Sequence, residues 1–364
     1  MNYAFGVEFV EVDPLGLGAD RIEYGDEQLR ERLRRELSAD PARYRGLHGS
    51  AILSRYPIRR ARVLRLKACY DWYGEERTAI ARIEEACRWT AERVFIERVS
   101  RELRHGNRMA LIAEVAVPES PTGQVTVVAA HLENKCNPAC RREQMEQILT
   151  AIQEVEDPVI LGGDLNTTGA SGAPTSVERE ISKRIGDADF WALNALRWFT
   201  PLVLPRALMF PANYFKNYQD PTARHVPVFA TNREAALFRM IERFRFADGH
   251  AFDFRGSFGR TANRQRTLGN SNERGPKGFK PTFTFRRDYG GLVGRFKLDW
   301  FLIKPLVDDP REPDGSEWFA PHFPVTMSEI NGVLPSGLSD HAPITVDLPL
   351  VEMRDLGAPP LLSR

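Results

Sequence analysis

Apolar residues in this chain come in short runs, and the spacing within each run predicts its element. Tyr3 to Val12 is rich in aromatic and β-branched residues and reads as a strand. Gly49 to Pro57 reads as a strand closed by proline. Met109, Leu111, Ala113, Val115 and Val117 alternate along the chain, the pattern of a strand with one buried face. Gln124 to Ala130 comes next as a second strand, after a turn containing Pro121 and Gly123. Val159 to Leu161 is continuously apolar, as expected of a buried strand. Lys297 to Ile303 and Pro343 to Leu348 return to strand character.

Helical spacing is strongest from Glu75 to Leu103, where Ile80, Ile83, Cys87, Ala91, Val94, Phe95, Val99 and Leu103 share a stripe and Gly106 lies just past the end. Arg141 to Val155 is amphipathic through Met145, Ile148, Leu149 and Ile152, and Arg233 to Phe244 is a further helical piece. Asp26 to Leu37 has few apolar positions and predicts a surface helix. From Gly169 to Phe283 the pattern weakens into loops bearing aromatic, Gly and Pro residues. Strands separated by helices, with long loops late, predict sheets faced by helices.

Composition narrows this picture only slightly. The chain has 364 residues, 42% of them hydrophobic and 27% charged, which suffices for a sizeable core and argues against wholesale disorder. Its 50 basic and 49 acidic residues neither support nor exclude a nucleic-acid partner, because the distribution of charge decides that. No run approaches the roughly 20 apolar residues of a membrane span. The start shows no basic, then apolar, signal peptide, so the cytoplasm is the default location. Four cysteines are too few for a disulfide scaffold. Cys87 falls on an apolar stripe. Cys136 and Cys140 flank Asn-Pro-Ala and admit either a local disulfide or free thiols. No second pair has zinc spacing.

Candidate chemistry clusters where apolar runs end. Val159-Ile160-Leu161-Gly162-Gly163-Asp164-Leu165-Asn166 ends in two glycines that allow a tight turn or close approach, then an acid and an amide two residues apart. In extended chain these side chains point the same way and would present oxygens suited to a hard divalent cation. The alternative is a turn in which Asp and Asn bond their own backbone. His131 ends the strand Val125 to Ala130. Asp299 lies within the apolar stretch Lys297-Leu298-Asp299-Trp300-Phe301 and needs a partner, either a basic residue such as Lys297 or a histidine that it orients. Asp340-His341 precedes an apolar strand, where the acid can hold a metal or water and the histidine can reach a phosphate. Arg255 to Lys280 carries Arg260, Arg264, Arg266 and Lys277 among phenylalanines, so it is either a solvated basic loop or a lip that faces phosphate.

Taken in order, Gly49-Ser50-Ala51-Ile52-Leu53-Ser54-Arg55, Ala130-His131-Leu132-Glu133, Gly162-Gly163-Asp164-Leu165-Asn166, Lys297-Leu298-Asp299-Trp300 and Ser339-Asp340-His341-Ala342-Pro343 resemble the endonuclease/exonuclease/phosphatase superfamily. The resemblance implies a deoxyribonuclease I-like fold, a four-layer α/β sandwich of two sheets. One domain would span 1–350, with a variable substrate-facing region at 169–283 and a tail at 351–364. It implies a phosphodiesterase or nuclease-like enzyme that uses Mg²⁺ or Mn²⁺ to help water hydrolyse a phosphoester in nucleic acid, a phospholipid headgroup or a small phosphodiester. Asp164 would orient or deprotonate the water, Asn166 would hold it or a phosphate oxygen, and Asp340 would hold metal together with Asp164 and Asn166. His341 would contact the phosphate with its tautomer fixed by Asp299, and His131 would stabilise the phosphate from the other side. Arg264, Arg266 and Lys277 would bind substrate.

There are two departures from the family pattern. Ser50 stands where the family usually has Asn. The family's Leu-Gln-Glu-like strand with its metal-binding Glu has no match. Met1 to Gly6 resembles the segment downstream of that strand, and Glu8, Glu11 and Glu23 do not fit its motif. The chain therefore reads as starting late, and the alternative expectation is a weak or inactive relative that acts as a binding module.

Overall fold

A computed structural model describes residues 1–11, 46–75, 104–167, 234–254, 271–275, 278–284, 295–307, 317–332 and 339–350. The helices expected at 26–37 and 75–103 lie almost wholly outside these residues, as do Arg260, Arg264, Arg266, Lys277, Glu23, Cys87 and the tail. The first half contains β1 (Asn2–Glu11), β2 (Leu47–Ser54), β3 (Ile58–Arg65), β4 (Arg104–Gly106), β5 (Met109–Ala116), β6 (Gln124–Ala130), α1 (Pro138–Ile152) and β7 (Val159–Asp164). After α2 (Ala235–Arg243) come the short strands β8 (Arg274–Gly275), β9 (Gly278–Phe279), β10 (Phe283–Thr284) and β11 (Arg295–Phe296). The long strand β12 (Asp299–Lys304) precedes β13 (Leu306–Val307), β14 (Glu317–Trp318), β15 (His322–Thr326) and β16 (Ile344–Asp347).

Two sheets carry the architecture. One has the order β2-β1-β4 and the other β12-β7-β6-β5-β3. All neighbours pair antiparallel except β6 and β7, which run parallel and are joined through α1. A parallel pair needs such a crossover, and the helix covers the sheet it leaves.

β5 shows why the sheets stack. Met109, Leu111 and Ala113 point toward the smaller sheet and cluster with Ile52, Ala4, Val127 and Ala129. Ala110 and Ile112 point the opposite way and join Met145, Ile148, Leu149 and Ile152 of α1. The strand is therefore buried on both faces, not one as its alternation suggested. Alanines at the intervening positions are small enough to read as a break in the apolar pattern, yet they pack fully. The two-sheet α/β sandwich is thus present. Described residues show helices against one sheet only.

α1 begins at Pro138, before the expected Arg141. Asn137 caps it by accepting from the Cys140 backbone N–H at 2.8 Å, and Pro138 suits the first helical turn. Arg141 is buried and pairs with Glu234 at the start of α2. Cys140 bonds Cys69, which ties the loop after β3 to α1, while Cys136 lies buried outside that disulfide, its thiol 3.3 Å from the Glu133 carbonyl oxygen. The local 136–140 pairing admitted by their spacing does not form.

Candidate active site

β6, β7 and β12 bring their site-bearing ends to one edge of the larger sheet. His131 lies just past β6, Asp164 ends β7, and Asp299 opens the antiparallel β12 directly opposite Asp164 in register. Gly163 allows the junction. Its φ is 146°, and a Cβ there would lie 1.8 Å from the Ala130 carbonyl oxygen. Asn166 leaves the strand at φ 48°, a left-handed conformation that asparagine tolerates. Its side chain is therefore not presented alongside Asp164 as an extended strand would place it. Asn166 Nδ2 donates to Leu132 O at 2.8 Å, and its backbone N–H donates to Asp164 Oδ1 at 2.8 Å. The backbone-bonded turn is real, and it occupies only one carboxylate oxygen. Asp164 Oδ2 lies 3.6 Å from His131 Nε2.

His341 reaches Asp299, with Nδ1 2.7 Å from Oδ2. Thr282 fastens this side. Its Oγ1 accepts from the backbone N–H groups of Leu298 and Asp299, and its carbonyl accepts from Ala342 N. The Phe283 ring lies 5.2 Å from the imidazole. Lys297 is not the partner of Asp299. Its ammonium is buried, makes no hydrogen bond to the described residues and stands 5.3 Å from the Trp300 ring.

His131 sits in a different setting. Nδ1 is 2.8 Å from Arg108 Nη1, which also donates to Glu8 Oε2 at 3.1 Å. Arg108 Nε faces Glu133 Oε2 at 3.6 Å, and the same oxygen accepts from Trp72 Nε1 at 2.9 Å. Sequence reasoning missed Arg108, Glu133, Trp72 and Thr282 and set Glu8 aside. The available signal was an arginine directly before the apolar β5 and a glutamate two residues after His131.

These surroundings set the charges. Burial would lower the pKa of His341, but the hydrogen bond and charge of Asp299 outweigh it, with help from Asp164 and Asp340, and raise it to about 9. Burial, then the adjacent Asp299, pushes Asp164 up to about 6. Asp299 overcomes its own burial through His341 and stays below the usual carboxylate range. His131 lies well below the usual histidine range because of burial, then Arg108 and His341. Burial raises Glu8 against the opposing pull of Arg108, and burial lowers Lys297 to about 8. At neutral pH His341 is therefore charged, His131 neutral and Asp164 largely ionised.

Asp164, Asp340 and the Asn166 carbonyl are hard oxygen donors of the right type for a metal. Asp340 stands exposed at the rim with Ser339 Oγ 3.4 Å away. No group of three or more His, Cys, Asp or Glu among the described residues is placed to hold an ion.

The family model described as endonuclease/exonuclease/phosphatase matches residues 9–341. The chain belongs to that family. No curated protein matches the sequence. Solved structures similar to it include an endonuclease/exonuclease/phosphatase from Beutenbergia cavernae DSM 12333, at 15% identity and TM-score 0.35, covering 96% of this chain and 62% of that one. A humanized D. rerio TDP2 aligns at 12% identity and TM-score 0.34, over 95% of this chain and 98% of that one. Sphingomyelinase C from Streptomyces griseocarneus aligns at 18% identity and TM-score 0.22, over 42% and 53%. The chain thus spans 62% of the length of the Beutenbergia protein. By its description the family is one of nucleases and phosphatases.

Proposed function

We propose that this chain hydrolyses a phosphodiester by direct attack of water, with Asp164, His131 and His341 around the reacting phosphate. The observation that carries this reading is the convergence at one end of the larger sheet, where Asp164 Oδ2 lies 3.6 Å from His131 Nε2 and Asp299, paired with His341, stands opposite Asp164 in register. Attack on an anionic phosphate needs positive charge, oriented donors and a base. Asp164, with a pKa of about 6, is ionised at neutral pH yet more basic than an ordinary aspartate. It takes the proton of the attacking water as the water oxygen bonds phosphorus. His341 returns a proton to the leaving oxygen as the old P–O bond breaks. His131 donates from Nε2 to a phosphate oxygen, and Asn166 helps hold the water. Asp299 keeps His341 charged and oriented.

Mg²⁺ or Mn²⁺ would supply additional charge neutralisation, with Asp164, Asn166 and Asp340 as its donors on this chain. Arg264, Arg266 and Lys277 remain proposed contacts to a substrate that is nucleic acid, a phospholipid headgroup or a small phosphodiester. The Cys69–Cys140 bridge favours an oxidising compartment over the cytoplasmic default. The turn that sends the Asn166 amide to the Leu132 carbonyl, away from Asp164, supports a second reading, a weak or inactive relative that binds phosphoesters. A panel of these three substrate types with and without Mg²⁺ and Mn²⁺ decides between them. Turnover lost in Asp164→Asn supports the enzyme, and binding without turnover under every condition supports the binding module.

A further inference from the structure

The bond between Arg108 and His131 has only one chemical solution. A guanidinium has five donors and no acceptor. At 2.8 Å from Arg108 Nη1, His131 Nδ1 must therefore offer its lone pair, which puts the ring proton on Nε2. A proton on Nδ1 would set two donors against each other. The competing acceptor for such a proton is Glu8 Oε2, but it lies 3.6 Å from Nδ1 and already accepts from Arg108 at 3.1 Å. Arg108 is not free to turn away, because Glu133 faces its Nε and is itself held by Trp72. The Trp72 ring in turn has the Arg104 guanidinium 3.6 Å from its centroid and the Lys135 ammonium 4.6 Å away.

We propose that Arg108 is a positioning residue that fixes His131 in the neutral, Nε2-protonated tautomer. Glu8 and the Glu133–Trp72 pair are the braces that keep the guanidinium on Nδ1. His131 can then only donate toward Asp164 and whatever lies beside it. Its usefulness as a phosphate donor rests on the hydrolase reading, whereas its tautomer does not.

The test is ¹⁵N-histidine NMR of the full chain, free of added metal, at mildly alkaline pH, with the His131 signal identified by its loss in His131→Asn. In the wild type, Nε2 should read as protonated and Nδ1 as an unprotonated acceptor. Arg108→Lys keeps a donor and should retain that signature. Arg108→Met alone strands Glu8, so it is combined with Glu8→Met, which brings no new donor to Nδ1. This variant should move the ring to the Nδ1-protonated form or a mixture. With any hydrolysed substrate, kcat should fall roughly 10–100-fold with little change in KM, the usual scale for removing an orienting partner. A wild-type ring protonated on Nδ1, or an unchanged tautomer in the folded double variant, would overturn the proposal. The NMR signature reads the tautomer without turnover, so a silent substrate panel strikes the hydrolase reading alone.

Discussion

The two sides of the site use the same imidazole ring to opposite ends. On one side an anion, Asp299, lies against His341 Nδ1, so the ring is charged and presents its other nitrogen as a cationic donor. On the other, burial and then a permanent cation, Arg108, against Nδ1 keep the His131 ring neutral, with its proton on Nε2. Asp164, 3.6 Å from His131 and opposite Asp299 in register, draws opposite influences from its neighbours. Asp299 across the ladder raises its pKa, and His341 lowers it. The charge state of a histidine is thus written in the residue behind it, and a single residue exchange should unbalance the pair.

The largest effects should come from the anionic side. Under the hydrolase reading, His341→Ala removes a proton donor and should cost roughly 10²–10⁴-fold in kcat. Asp299→Asn leaves the ring in place and should cost less, roughly 10–100-fold. The asparagine variant should also bring the His341 pKa down from about 9 toward an ordinary histidine value, measurable by NMR titration. The contrast between the two sides fails if His341 still titrates near 9 without the carboxylate.

The two sides also differ in how far the sequence reveals them. Asp299 and His341 were readable because an acid inside Trp300-Phe301-Leu302-Ile303 must be paired and Asp340-His341 opens a strand. Asp164 was readable from the apolar run that delivers it. The partners of His131 were not. Arg108 precedes an apolar strand as a loop arginine would, and Glu133 looks like any surface acid after a strand. Only the three-dimensional crossing of β1, β5 and the loop after β3 makes them buried neighbours. Cys69 and Cys140, 71 residues apart, were hidden for the same reason, since local spacing favoured Cys136. Element types survived better. α1, β6, β7 and β12 fall close to their predicted spans because periodicity records local burial.

The next effect is on stability. His341 has a folded pKa of about 9 against an ordinary value of 6.5, so its contribution is full below 6.5 and is lost as pH rises through 9. At about 1.4 kcal/mol per unit this amounts to about 3 kcal/mol, counted once for the His341–Asp299 pair. Denaturant melts of metal-free protein should show stability falling between those limits, and the slope should flatten in Asp299→Asn. His131, neutral when folded but titrating near 6.5 when unfolded, should add only a small opposing rise close to pH 6.5 and nothing further up. A fall of equal size in the asparagine variant would assign the pH dependence elsewhere.

Reduction should separate the sides in a third way. The Cys69–Cys140 bond anchors the loop that carries Trp72, and Trp72 braces Glu133 behind Arg108. Closing a loop of this length contributes roughly 4 kcal/mol by restricting the unfolded chain. The paired Cys69→Ser/Cys140→Ser variant should therefore melt at lower temperature. In the folded variant the His131 signals should broaden or shift while those of His341 stay where they were. Equal disturbance of both rings would mean that the two sides are not separately braced.

The smallest effect is expected from the basic stretch, which belongs to neither side. If Arg260, Arg264, Arg266 and Lys277 meet the substrate, they act through long-range charge and not through either imidazole. Neutralising all of them should raise KM for a polyanionic substrate several-fold at low salt and leave kcat and both histidine signatures unchanged. Salt screens charges beyond a Debye length of roughly 8–10 Å near physiological strength. The KM difference between wild type and variant should therefore shrink as salt rises. A short, singly charged phosphodiester offers little for those residues to grip, so its KM should barely move. A salt-independent KM, or a variant that loses kcat instead, would remove the stretch from substrate binding and return it to a solvated loop.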